Sequence, residues 1–177
     1  MNYKLLESNI IYKGRVFDIK VDKIEYESGN ESIREVALHN GGAVILAVTK
    51  ENKILLVEQF RYPFEKRLIE LPAGKLEINE DPLVCAKREL TEETGYTSSK
   101  ITKLGAVCTT PGFCSEILHL FLAEDLTPGN HNREEGEQGM EVLELPLAQI
   151  ENMISSGQIV DAKTICAILY YKLLKKL

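Results

Sequence analysis

The chain has no tryptophan, only three histidines and only four cysteines among its 177 residues. His39, His119 and His131 are scattered singly, and Cys85, Cys108, Cys114 and Cys166 contain no CxxC pair. That pattern argues against a zinc site and a disulfide framework, and matches free thiols in a reducing cytosol. Positive charge is not in excess either. A formal net charge of −6 disfavours a nucleic-acid partner, whose phosphates are normally met by a basic face. Long hydrophobic runs are also missing. The longest clean one, Ala43 to Val48, is far too short for a bilayer, and the opening residues "MNYKLLESNIIYKGR" carry no signal-peptide core. A soluble cytoplasmic protein with no membrane partner is the expectation.

What is present is enough for one well-packed domain and a small extra lobe, since 44% of positions are hydrophobic and 27% charged. Residues 9–40 alternate irregularly and read as two or three strands hinged at "ESGNES". So few strands bury little alone, so residues 1–40 are expected to form an antiparallel lobe packed on another surface, that of a second subunit. From residue 41 to 177 the main domain follows. "AVILAVT" and "KILLVEQF" flank "KEN" and predict a hairpin; "RLIELPAG", "ITKLGAVCT", "EILHLFLAE" and "MEVLELP" predict further strands. A long acidic loop occupies about 126–139. Three helices are predicted: one capped by Asp81 with Pro82 at its first position and Gly95 after its end, one over "LAQIENMISSG", and one capped by Asp161 with Ile165, Ile168, Leu169 and Leu173 as its apolar stripe. The order implies a mixed sheet between helices, an α/β/α layering.

The helix in "GKLEINEDPLVCAKRELTEETGY" poses a physical problem. Leu83, Ala86 and Leu90 form its buried stripe, and Glu89, Glu92 and Glu93 crowd the adjacent face, where like charges repel. A hard divalent cation bound through oxygen is the natural compensation, with Arg88 holding Glu92 one turn away. A solvated acidic face with ordinary salt bridges is the alternative.

The spacing changes the odds between them. After Gly74 come five residues, Glu80, seven more, then Arg88-Glu89-Leu90-x-Glu92-Glu93-x-Gly95-Tyr96. Gly74, Glu80, Arg88, Glu89, Glu92, Glu93 and Gly95 are seven fixed identities, which at about 7% each arise by chance in a chain of this length on the order of once in a million. The stretch resembles the full box of the Nudix hydrolases. That resemblance implies an α/β/α sandwich and magnesium- or manganese-dependent cleavage of a nucleoside diphosphate linked to another moiety. By position, Glu89 and Glu93 are the main metal ligands implied, with Glu92 adding a ligand or a catalytic contact beside the ligands, the Ala73 carbonyl completing the site, Glu80 supporting the loop, and Gly74 and Gly95 serving the backbone.

Outside the box, "EQFR" with Arg61, "IELPAGK" with Glu70, and Pro111, sixteen residues beyond Gly95, resemble the ADP-ribose pyrophosphatase branch. Arg61 is read as a phosphate clamp or as the partner of Glu65 or Glu70, and Glu70 as a substrate contact or a support for the loop; Pro111 is read as a substrate contact or an ordinary turn proline, and Glu116 as a contact to the terminal ribose or an exposed strand residue. Arg34 and Glu35, in the lobe that similar enzymes share across a homodimer, are assigned to the nucleotide, with Phe17 and Tyr26 as a platform for adenine or as core. The resemblance places acidic residues in the loop before the penultimate strand. This chain reads "REEGEQGMEV" there, one residue short of the usual run, so Glu137 and then Glu135 are the candidates for the catalytic base or an extra ligand. The implied activity is hydrolysis of ADP-ribose to AMP and ribose 5-phosphate. GDP-mannose or another nucleoside diphosphate sugar is the alternative, and a nucleotide-sensing protein without catalysis is the competitor of another class.

Overall fold

The computed structural model describes residues 2–130 and 139–177. Two compact units divide them. The first comprises Met1–Gly41 with Cys108–Ile117, and the second Gly42–Val107 with Leu118–Leu177.

In the first unit β1 (Tyr3–Lys13), β2 (Asp18–Tyr26) and β3 (Glu31–Leu38) pair antiparallel in that order. The β2–β3 turn falls at the expected residues, where Gly29 at φ 84° donates to the Tyr26 carbonyl at 2.9 Å. The first strand starts well before residue 9. Segment 108–117 lies against β3, with Ala37 N donating to Phe113 O at 2.8 Å and Ser115 N to Ala37 O at 2.9 Å. Of the three strands' residues only Ile24 is buried, and every residue of β1 is exposed. Tyr3, Leu5, Ile11 and Tyr12 therefore stand in solvent on this chain.

The second unit is built around β4 (Gly42–Ala47), buried at every position. It sits inside a four-stranded sheet ordered β7-β4-β9-β8, antiparallel to β7 (Ala73–Lys75) and parallel to β9 (Ile117–Pro128), beside which runs β8 (Tyr96–Cys108). A second sheet, ordered β10-β5-β6, joins β10 (Glu141–Pro146), β5 (Lys53–Arg61) and β6 (Lys66–Glu70). Alternation along β4 feeds two cores. Val44 and Leu46 meet Leu120, Leu122, Ile150 and Ile168 on the side of α2 (Leu147–Ser155) and α3 (Ala162–Lys175). Ala43, Ile45 and Ala47 meet Phe121, Cys85, Ala86 and Leu90 on the side of α1 (Pro82–Thr94). Helices thus cover both faces of a mixed sheet, as expected.

Three local readings change. The "KEN" turn exists, with Thr49 N donating to Lys53 O at 2.8 Å, but β4 and β5 enter different sheets and share only the bridge Val48–Ile54. A run buried on both faces takes a central place, for which a hairpin partner is not required. The β9 strand continues to Pro128, beyond the expected start of the loop, because Leu126 is buried. The α3 stripe is rotated: Thr164, Ala167 and Ile168 are buried while Leu169 and Leu173 are exposed. The Thr164 hydroxyl accepts from Leu71 N at 2.8 Å, so a polar residue takes a core position through a hydrogen bond that periodicity does not reveal.

Candidate active site

The acidic helix begins and ends as its sequence demands. Asp81 Oδ1 caps α1 by accepting from Leu83 N at 2.8 Å, and Gly95 closes it at φ 79°, in the left-handed region that glycine enters without a steric cost. Leu83 is only partly covered, and the inward face instead includes Cys85, Ala86, Glu89, Leu90, Glu93 and Thr94. Glu89 and Glu93 are thus within the buried face rather than beside it, 5% and 2% exposed. Burial this deep is unusual for glutamate and requires partners.

Those partners are built into β7 and the helix. Ala73 N donates to Glu93 Oε2 at 3.1 Å. Arg88 gathers three carboxylates: its Nη1 donates to Glu89 Oε1 at 2.5 Å and Glu92 Oε2 at 3.2 Å, and its Nη2 to Glu80 Oε2 at 3.1 Å. Glu80 also accepts from Glu77 N at 2.9 Å, so it ties the β7–α1 loop to the helix. Its bond from Arg88, foremost, holds the Glu80 carboxyl below the ordinary range, and the same bond raises the Arg88 pKa. The Cys85 thiol, pushed up to about 12 chiefly by burial, is inert.

The donor set suits a hard divalent cation. Two buried carboxylates lie one turn apart beside a backbone segment, and oxygen donors are what magnesium and manganese take. Gly74 keeps the place open, since a Cβ there would meet Glu89 Oε1 at 1.7 Å. Among the described residues no three acidic, histidine or cysteine side chains are grouped so as to hold a metal ion by themselves. Glu89 and Glu93, with Glu92 on the same helix and the Ala73 carbonyl next to them, are the residues available to hold an ion.

A second charged group adjoins this one. Arg61 at the end of β5 makes a fork on Glu70 at the end of β6, Nε to Oε1 at 2.8 Å and Nη2 to Oε2 at 2.6 Å. Lys163, in the first turn of α3, also donates to Glu70 Oε2 and lies 3.0 Å from Asp161. Asp161 caps α3 by accepting from Thr164 N at 3.0 Å. Burial would raise the Glu70 pKa, but the Arg61 hydrogen bonds and the Lys163 charge outweigh it and hold the carboxyl below its ordinary value. Arg61, its own pKa raised mainly by Glu70, also feels the charge of Glu93.

In the first unit Arg34 and Glu35 are exposed neighbours on β3. The Arg34 guanidinium meets the Tyr26 hydroxyl and lies 5.8 Å from the ring centre. Both residues line a cleft of about 600 Å³ with Phe17, Ile33, Phe113 and Cys114. Pro111 is exposed in the turn leading to that cleft, while Glu116 accepts from Thr109 Oγ1 at 2.8 Å and lies 3.4 Å from His39 Nδ1. Glu135 and Glu137 lie outside the described residues.

Sequence reading missed Lys163 and Asp161 as parts of the charged group. "DAKT" offers the Asp161 cap as a signal, but the pairing of Lys163 with Glu70 spans 93 positions and has no local mark.

Comparison with known proteins agrees with this architecture. The NUDIX domain model matches residues 38–166. An ADP-ribose pyrophosphatase of Bacillus subtilis is 44% identical over 96% of this chain and 92% of its own length. A methanol dehydrogenase activator of Bacillus methanolicus is 41% identical over the same shares. A GDP-mannose pyrophosphatase of Escherichia coli K12 is 37% identical over 74% of this chain and 72% of its own length. A crystal structure of an ADP compounds hydrolase superposes with a TM-score of 0.86 at 18% identity, covering 99% of this chain and 95% of that one, a likeness of fold.

Proposed function

The chain belongs to the Nudix family of hydrolases, and from that premise we propose that it cleaves the pyrophosphate of ADP-ribose, giving AMP and ribose 5-phosphate. The observation that carries this reading is the burial of Glu89 and Glu93 together against Ala73 and Gly74. Choice of ADP-ribose is supported by the 44% identical relative of that name and by Arg61, Glu70 and Pro111 at the branch's positions.

Water adds across one P–O–P bridge in this reaction, its oxygen going to the attacked phosphorus and its protons to the two phosphate products. A divalent ion, magnesium or manganese, would neutralise the diphosphate and lower the pKa of the attacking water when bound. Glu89 and Glu93 supply carboxylate oxygens for it, Glu92 a further one, and the Ala73 carbonyl a neutral donor. Arg88 orients Glu89 and Glu92, and the Ala73 amide fixes the Glu93 rotamer. Arg61 offers a planar fork for a phosphate oxygen pair. Glu137, with Glu135 second, takes the proton from water.

The exposed apolar residues of β1 support a homodimer in which a second copy covers the N-terminal lobe, and the cleft lined by Phe17, Arg34 and Glu35 then receives the nucleoside. Four free cysteines fit a cytoplasmic setting, and among the described residues no helix is long and apolar enough to cross a membrane.

The Escherichia coli relative favours GDP-mannose as the second reading. Incubation with magnesium and ADP-ribose, GDP-mannose, ADP-glucose, NADH or diadenosine polyphosphates, with products separated by chromatography, tests the choice. Preferential release of AMP and ribose 5-phosphate is expected. Preference for GDP-mannose moves the substrate and keeps the chemistry; silence across the panel with nucleotide binding intact contradicts the enzyme.

A further inference from the structure

Glu70 is held by two cations whose situations differ. Its side chain is 2% exposed and that of Lys163 is 11%, whereas Arg61 is 38% exposed. Arg61 is thus the member of this group that opens most to solvent, and its guanidinium also feels Glu93 on the acidic helix. Glu70 and Asp161 supply two negative charges and Arg61 and Lys163 two positive ones, so the group is neutral at rest.

Lys163 has no reason of its own to stand where it does. It occupies the first turn of α3, the end of the dipole that disfavours a cation, and is kept there by Glu70 and Asp161. Without it, Arg61 would be the sole counter-ion of a buried carboxylate, and moving Arg61 to an incoming anion would strand that charge. With it, Glu70 stays paired on Oε2 while Arg61 turns.

We propose that Lys163 is a positioning residue that keeps Glu70 neutralised so that Arg61 can pass from Glu70 to a phosphate oxygen of the substrate. This rests on the reading of the protein as a nucleoside diphosphate sugar hydrolase, and adds to it the residue that sets phosphate affinity. In the free protein Arg61 is engaged by Glu70; in the complex it is shared with phosphate, and Lys163 takes over the carboxylate.

The test compares Lys163→Met, Lys163→Arg, Glu70→Gln and the double variant Glu70→Gln/Lys163→Met, reading KM and kcat for ADP-ribose and the affinity for AMP by titration calorimetry. Lys163→Met is expected to raise KM and weaken AMP about tenfold, with kcat within about twofold, and Lys163→Arg to restore both. On the Glu70→Gln background the same change is expected to do little, since no buried anion remains to be stranded. A structural role alone would instead give additive losses. Unchanged KM and AMP affinity in Lys163→Met, or additive effects in the double variant, would overturn the proposal. Should Lys163→Met fail to fold, the double variant decides: affinity near that of Glu70→Gln supports the proposal, and a further tenfold loss sinks it. Wild-type protein that binds AMP but hydrolyses no nucleoside diphosphate sugar contradicts the proposed function, and the AMP titrations still read Lys163. Wild-type protein that binds no AMP overturns both.

Discussion

Glu89 and Gly74 share one volume, for a Cβ on the glycine would sit 1.7 Å from Glu89 Oε1 and 1.9 Å from Cδ. The first glycine of the box therefore serves the carboxylate and not merely a turn, because its φ lies outside the positive range that would demand glycine. Gly74→Ala is expected to push the Glu89 carboxylate off Arg88 and away from β7, costing about 1–3 kcal/mol of stability and at least about tenfold in kcat. Thermal unfolding and steady-state kinetics check it; a variant with normal kcat would show that Glu89 can occupy another place.

Much of this arrangement was legible in the sequence. The box spacing placed Asp81, Gly95 and the glutamates on one capped helix, and the strand runs were identified because β-branched residues alternate or cluster there. What escaped was non-local. "AVILAVT" and "KILLVEQF" read as a hairpin because a turn is visible locally, whereas their separate sheets are set by β9 and β10 far along the chain. Thr164 lies outside the apolar stripe expected for α3, yet its hydroxyl accepts from Leu71 N in the core, and the capture of Glu70 by Lys163 joins positions that share no periodicity. The same limit hid the depth of Glu89 and Glu93, since a helical projection gives direction but not the reach of β7 over the helix.

Glu70 confers an acid-sensitive element on the fold. Its folded pKa lies below the ordinary 4.5, so its contribution to stability is complete above that value and disappears as pH falls through the folded pKa. Glu70→Gln is expected to flatten the acid limb of the stability curve, seen as a smaller fall in melting temperature below about pH 4.5 than the wild type shows. Identical acid limbs would mean that Glu70 does not gain its charge partners on folding.

The base is tested by exchange of one atom. Glu137→Gln is expected to lower kcat by about 10²–10⁴ with little change in melting temperature. A greater loss in Glu135→Gln would move the base by two residues.

The uncovered first unit predicts an assembly. Light scattering is expected to give a mass near twice 19.9 kDa, and charged substitutions at Ile11 and Tyr12 are expected to lower it. A monomer at micromolar concentration would leave the exposed β1 residues to another role.

The most direct measurement is turnover of ADP-ribose by metal-stripped protein as magnesium is added back, for the wild type and for Glu93→Gln. Glutamine keeps the acceptor for Ala73 N and removes the charge. The account predicts no turnover without the ion, recovery in the wild type, and a loss of several orders of magnitude in Glu93→Gln at an almost unchanged melting temperature. Full turnover in chelator, or a fully active Glu93→Gln protein, would contradict the assignment of the buried glutamates to a cation.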